Sequence, residues 1–203
     1  MSSFLRGVLL GFSIAAPVGP IGLLCIRRSL ADGRLVGLLT GLGAATADAV
    51  YGGIAAFGLT AVSGTLVAYR TWLGLFGGAF LCYLGVRTFI SKPDERHASA
   101  GRDTLASAYV STFVLTLTNP MTILSFVAIF AGLGVASGAD YSRAAMVVTG
   151  VFAGSAAWWL LLSTGTAMLR SKLGEGPMRL VNHLSGSIIV AFGIYAVATA
   201  FRG

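Results

Sequence analysis

The chain has 203 residues, 56% of them hydrophobic and only 10% charged, whereas soluble domains carry about 25% charged residues. That balance excludes a water-soluble globular protein and makes the lipid bilayer the solvent. The net charge of +7 does not imply nucleic-acid binding, because the Lys and Arg residues follow the loops and are not gathered on one face of a soluble domain.

The first apolar run is Phe4–Ile26. Arg6 near its start and the small pair Ala15-Ala16 have the look of a secretory leader. The run continues through Pro17-Val18-Gly19-Pro20 to Ile26 before Arg27-Arg28 stop it, and no soluble domain follows, so a retained spanning helix is expected. Leu35–Val62 and Trp72–Ile90 come next, then Leu105–Val135, split by Asn119-Pro120, and finally Ala144–Leu169 and Leu184–Phe201. A helix needs roughly 20 apolar residues to cross a bilayer. With no water at depth, every backbone group must be paired within the chain, and uninterrupted runs without alternation satisfy this as helices. The predicted fold is all-α, a polytopic membrane bundle of six transmembrane helices.

The one polar stretch, Ser91 to Asp103, divides the chain nearly in half. Residues 1–90 and 105–203 then form half-repeats of one membrane domain, joined by a polar loop over 91–104. The halves echo each other: Pro17-Val18-Gly19-Pro20 interrupts helix 1 and Asn119-Pro120 interrupts helix 4, while Gly78 and Gly85 in helix 3 have the spacing of Gly186 and Gly193 in helix 6. Three spans per half make the second copy enter from the opposite side, producing two inverted three-helix repeats, an architecture of transporters. The alternative is a bundle with two unrelated prolines.

With six spans, Arg6, Arg70, Arg143 and Arg202 fall on one side of the membrane. Arg27, Arg28, Arg34, Arg87, Lys92, Arg96, Arg102, Arg170, Lys172 and Arg179 fall on the other. The positive-inside rule then predicts that the loops after helices 1, 3 and 5 are cytoplasmic and both termini lie outside, in a cell inner (plasma) membrane.

Pro17, Pro20 and Pro120 have no N–H for the carbonyls of Ser13, Ala16 and Thr116. Such breaks survive in a membrane where the backbone faces protein or a water-filled cavity. Gly19 is expected to take a conformation barred to other residues. Helices restarting at Pro20 and Pro120 would present unpaired N–H groups and a positive dipole end, for which a carboxylate is a natural ligand. Thr112, Thr116, Thr118, Asn119, Thr122 and Ser125 surround the second break. The threonines and the serine either line a cavity or bond back to their own helix, whereas Asn119 is expected to line the cavity.

Asp48 is the only acidic residue deep in any span. A carboxylate at that depth costs about 2.5–3.5 kcal/mol on the insertion scale, so it is expected to face the bundle interior. It either attracts a substrate ammonium and carries a proton, or stays protonated and bonds a neighbouring helix. Tyr51, three residues on and on the same face, is expected to hydrogen-bond it. The seams Gly37-x-x-x-Gly41, Gly74-x-x-x-Gly78 and Gly150-x-x-x-Gly154 are expected inside the bundle, with a homodimer left open as a protein partner. Trp158-Trp159 lie too deep for an interfacial belt, so at least one should pack inward, while His183 is expected at the interface. No sequence pattern for a nucleotide, a zinc ion or a nucleophilic enzyme is present, so no cofactor, no metal and no catalytic residue is expected.

These elements, in this order, resemble the LysE/RhtB family of amino acid exporters over nearly the whole chain. The matching residues are Pro17-Val18-Gly19-Pro20, Ser29-Leu30-x-x-Gly33, Gly41-x-Gly43 with Asp48 and Tyr51, Gly58-Leu59, the Gly78-to-Gly85 stretch, and Asn119-Pro120. Family members more often have Pro-Gly-Pro in the first motif, and many carry Lys where this chain has Met121. The resemblance implies export of amino acids, commonly driven by the proton motive force. Combined with the breaks, it implies a substrate site of Pro17, Gly19, Pro20, Asp48, Tyr51, Asn119 and Pro120, with Asp48 also coupling the proton. Competing readings are export of another small solute or a cation, and a membrane thiol–disulfide carrier. The last would need two facing reactive cysteines, whereas Cys25 lies past the first break and helix 4 has none.

Overall fold

The computed structural model describes residues 2–17, 19–56, 68–90, 102–119, 122, 126, 141–170 and 175–200. Among them are seven helices: α1 (Ser3–Ala15), α2 (Pro20–Ala31), α3 (Arg34–Ala56), α4 (Arg70–Phe89), α5 (Arg102–Thr118), α6 (Tyr141–Arg170) and α7 (Glu175–Ala200). Four of these, α3, α4, α6 and α7, are long and apolar enough to cross a membrane, and α1 with α2 makes a fifth candidate if the bent pair is one span. At 30 residues and 1.5 Å per residue, α6 exceeds the hydrocarbon thickness of about 30 Å. Pro120, the polar segment 91–101 and residues 57–62 of the second apolar run lie outside the described residues.

The Ser2 hydroxyl caps α1 by accepting the Leu5 N–H at 3.3 Å. The helix stops at Ala15, two residues before Pro17, as expected where a proline ring blocks the preceding turn. The chain restarts at Pro20, which takes the first helical position, where its missing N–H is no loss. The axes of α1 and α2 differ by 81°. At the other end of α2, Gly33 has φ 101°, a left-handed conformation that favours glycine, and the chain turns directly into α3.

Helix α3 is central. Its small residues Gly41, Gly43, Ala44, Ala45 and Ala47 are buried, and it packs on both α5 and α6, while α1 packs on α6 and α4 on α7. These seams have no room for larger residues. A Cβ at Gly7 would stand 2.2 Å from the Val147 carbonyl oxygen, and one at Gly154 2.0 Å from that of Val8. The glycine echo noted in the sequence is one physical seam: Gly78 meets Gly193 and Gly85 meets Gly186, so α4 and α7 run antiparallel in near backbone contact. Gly37 abuts Ser29, Gly41 abuts Trp159 and Gly150 abuts Gly7, so all three small-residue motifs serve packing inside the bundle.

One expectation is corrected. Arg27 and Arg28 do not stop the first apolar run at a membrane surface. They lie within α2 and are buried at 6% and 9% exposure. The bend at the break carries α2 into the bundle, so the guanidinium groups meet neighbouring helices instead of water.

Candidate functional site

Asp48, 3% exposed, projects from the middle of α3 towards α6. Its Oδ2 accepts the Ser155 hydroxyl at 2.7 Å, and Ser155 Oγ in turn accepts the Trp159 indole N–H at 3.1 Å. Trp159 is buried among Ala15 and Ile21, which flank the helix break, together with Cys25, Ala44 and Ala45. The structure thus brings the first break and the buried carboxylate into one neighbourhood, joined by two side chains of α6.

At the break, Ala16 N–H still reaches Phe12 O at 2.9 Å and Gly19 O accepts Leu23 N–H at 3.0 Å. No side chain caps the start of α2, and its first amides have no carbonyl one turn earlier. Gly19 is extended, at φ −109° and ψ −163°, a conformation available to any residue. The expected need for glycine is therefore wrong as a backbone argument. Close packing does not require glycine there either, since a Cβ would meet nothing within 4 Å among the described residues and the position borders open space. Pro17 is exposed and Pro20 half-buried beside it.

Tyr51 is buried, but its hydroxyl does not bond Asp48. It donates to the Leu117 carbonyl, and its ring lies 5.3 Å from that of Phe126. The reason is local: α5 ends at Thr118, so the carbonyls of its last turn lack the usual partners, and the tyrosine supplies one. Asn119 performs a similar service through its backbone, donating N–H to Thr116 O at 3.3 Å, the carbonyl that Pro120 cannot serve. Thr112, Thr116 and Thr118 bond back to the carbonyls of Ala108, Thr112 and Val114, the self-bonding alternative for these side chains.

Sequence reasoning missed the polar groups that cross between helices. Arg28 donates to Thr40 Oγ1 at 3.2 Å, Ala108 O at 3.1 Å, Thr112 Oγ1 at 3.2 Å and Ser111 Oγ at 3.0 Å. Arg27 Nε donates to Asn182 Oδ1 at 3.2 Å. The two arginines thereby tie α2 to α3, α5 and α7. Ser155 was also missed, although a signal existed: a carboxylate held in a bundle needs a donor on a facing helix, and Ser155 is the hydroxyl within Val151–Trp158 of the long fifth apolar run. The cysteines sit in different seams. Cys25 Sγ donates to Gly37 O at 3.4 Å between α2 and α3, and Cys82 Sγ to Val190 O at 3.8 Å between α4 and α7.

A multi-pass helical bundle with a helix broken beside a buried carboxylate has the features of a membrane transporter. The chain belongs to the LysE type translocator family, whose model matches residues 12–199; members of this family are transporters and not enzymes. It is 29% identical over 199 residues to a Bacillus subtilis (strain 168) protein named "Putative amino acid efflux protein YcgF", covering 96% of this chain and 95% of the relative. It is 28% identical over 182 residues to "Uncharacterized membrane protein YahN" of Escherichia coli (strain K12), covering 88% of this chain and 80% of the relative. No solved structure matches the chain.

Proposed function

We propose that the protein exports amino acids or close derivatives across the plasma membrane by proton-coupled antiport. The observation that carries this reading is the placement of Asp48, buried and held by Ser155, beside a broken helix whose first amides lack a side-chain cap. The efflux named for the Bacillus relative supports the solute class. The N–H groups of Ile21 and Gly22, which follow Pro20 in the first turn of α2, and those of a helix restarting after Pro120, hold the substrate carboxylate. Asp48 and carbonyls freed by the breaks hold the ammonium, while Pro17 and Gly19 leave room for the solute. Tyr51 and Asn119 secure the end of α5 at the far wall. Protonation of Asp48 from outside releases the ammonium, and loss of that proton to the cytoplasm resets the site.

Motion comes from two inverted three-helix repeats, residues 1–90 and 105–203, rocking about the site. The packing pattern supports this division. Exchanging the halves maps the α1–α6 contact onto the α5–α3 contact and leaves α3–α6 and α4–α7 unchanged. It also carries the Gly78–Gly193 contact onto Gly85–Gly186. Six spans place both termini outside and the loops after helices 1, 3 and 5 in the cytoplasm. Setting aside Arg27 and Arg28, which are buried, the remaining Lys and Arg still favour that side.

The test is release of labelled amino acids from preloaded proteoliposomes, with and without an inward proton gradient. The gradient is expected to accelerate release of one class of amino acid, and Asp48→Asn to remove that acceleration. Release no faster than from protein-free vesicles would overturn the solute assignment. Full gradient dependence in Asp48→Asn would overturn the proton role.

A further inference from the structure

Two side chains of α6 connect the broken helix to Asp48. Trp159 packs on Ala15 and Ile21 at the break, and its own Cβ lies where a Cβ on Gly41 would stand only 2.2 Å away. Its N–H donates to Ser155 Oγ, and the Ser155 hydroxyl donates to Asp48 Oδ2. A serine hydroxyl has one proton to give. With the indole N–H occupying one lone pair, that proton is directed at the carboxylate. An ionised Asp48 accepts it. A protonated Asp48 can still accept through its carbonyl oxygen, but a neutral acceptor holds the Ser155 hydroxyl more weakly than a carboxylate does, and the indole bond on the same oxygen changes with it. Residues 155 and 159 are one helical turn apart on one face, so hydroxyl and ring respond together.

We propose that Ser155 and Trp159 are positioning residues that couple occupancy of the helix-1 break to the protonation state of Asp48. The coupling presupposes the export reading, in which the break holds the solute and Asp48 the proton. The wall that Trp159 presents to the break depends on whether Asp48 carries a proton. By linkage, a solute that displaces the ring alters the proton affinity of Asp48 by the same factor.

No other titratable side chain described on the packed helices competes for this role. Tyr51, on α3 itself, is bonded to Leu117 O, and Tyr109 on α5 to Thr46 Oγ1. Cys25 is bonded to Gly37 O, and Arg28 to Thr40 and α5. Arg6 on α1, Arg27 on α2, Asp32 at the C-terminal end of α2, Arg34 on α3, and Tyr141 and Arg143 on α6 are the remaining charged or titratable groups whose side chains are described on these helices. Ser155 is the one hydrogen-bond partner of the Asp48 carboxylate among the described residues.

The chain has three Trp, so Trp72→Phe with Trp158→Phe leaves Trp159 as the sole indole. Its emission, followed against pH for the full chain in lipid nanodiscs, is expected to titrate in a single step. Adding Asp48→Asn or Ser155→Ala should abolish the step, and Ser155→Thr, which keeps the hydroxyl, should retain it. In proteoliposomes with the native tryptophans, Ser155→Ala should raise the pH midpoint of efflux by about half a unit, since the ionised carboxylate loses one membrane hydrogen bond. Trp159→Phe should shift the midpoint the same way, with the double variant shifting no further than Ser155→Ala. A purely packing role would lower folded yield and leave these midpoints in place. Emission that ignores pH, or that titrates unchanged in Asp48→Asn, overturns the coupling. An intact emission step together with no amino acid release supports the coupling and sinks the solute assignment instead.

Discussion

The α4–α7 and α3–α6 seams lie in the same bundle and hold it together in opposite ways. Between α4 and α7, glycines meet glycines, with Gly78 on Gly193 and Gly85 on Gly186. Between α3 and α6, small residues receive a tryptophan, and a buried carboxylate is bonded to a serine. Lipid is as apolar as leucine, so helices associate in it by close packing, which small residues permit. The first seam shows that this suffices. The second therefore does not need Asp48 for cohesion, and a carboxylate retained there against its desolvation points to work other than folding.

The largest effect should come from breaking the glycine seam. A Cβ at Gly193 would stand 2.7 Å from Gly78 O and 2.8 Å from Cys82 N, backbone atoms that cannot step aside. Gly193→Leu is expected to destabilise the protein by roughly 3 kcal/mol, the upper end for overpacking, seen as loss of monodisperse protein on size-exclusion chromatography. Full recovery of the variant at the wild-type melting temperature would show the seam to be looser than the structure has it. Next in size is Arg28→Ala, which removes a cation bonded to three side chains and a carbonyl. Membrane hydrogen bonds average about 0.6 kcal/mol each, and a loss of about 2 kcal/mol is expected in thermal unfolding. Arg28→Lys should recover only part of it, because an ammonium cannot reproduce the planar fork.

What the sequence revealed, and what it hid, follows the same division. The break at Pro17–Pro20, the depth of Asp48 and the internal glycine motifs are local properties of an apolar run, and the structure has them where the residues suggested. Partners are another matter, because they depend on which helices face each other. Tyr51 shares a face with Asp48, yet a helix face spans more than one neighbour, and the longer side chain reaches the open end of α5. Arg27-Arg28 look like a stop signal because a straight helix would deliver them to the surface. The turn between α1 and α2 sends them inward, and no count of residues along the chain contains that angle. Ser155 was the most recoverable of the missed residues, since a buried acid implies a donor opposite it.

Tyr51→Phe sharpens the comparison from the polar side. It keeps the ring contact with Phe126 and removes the bond to Leu117 O, so the expected loss is about 0.6–1.7 kcal/mol. If Tyr51 instead served Asp48 directly, the same change would move the pH profile of efflux as Ser155→Ala does; an unchanged profile with slightly lowered stability is the expected result.

The smallest effect on stability, and the most telling, is expected from Asp48→Asn. Asparagine has nearly the same shape, and its carbonyl oxygen can still accept the Ser155 hydroxyl, so the bond survives and the desolvation of a carboxylate disappears. Burying an ionised carboxylate costs more than burying a neutral amide of the same shape that keeps its hydrogen bond. The melting temperature should hold or rise while gradient-driven efflux is lost. Were stability to fall as far as in Gly193→Leu, the carboxylate would be a structural member of its seam, and the contrast between the two seams would collapse. A variant that folds as well as the parent and no longer responds to the proton gradient would show that the polar seam is maintained for transport and the glycine seam for the fold.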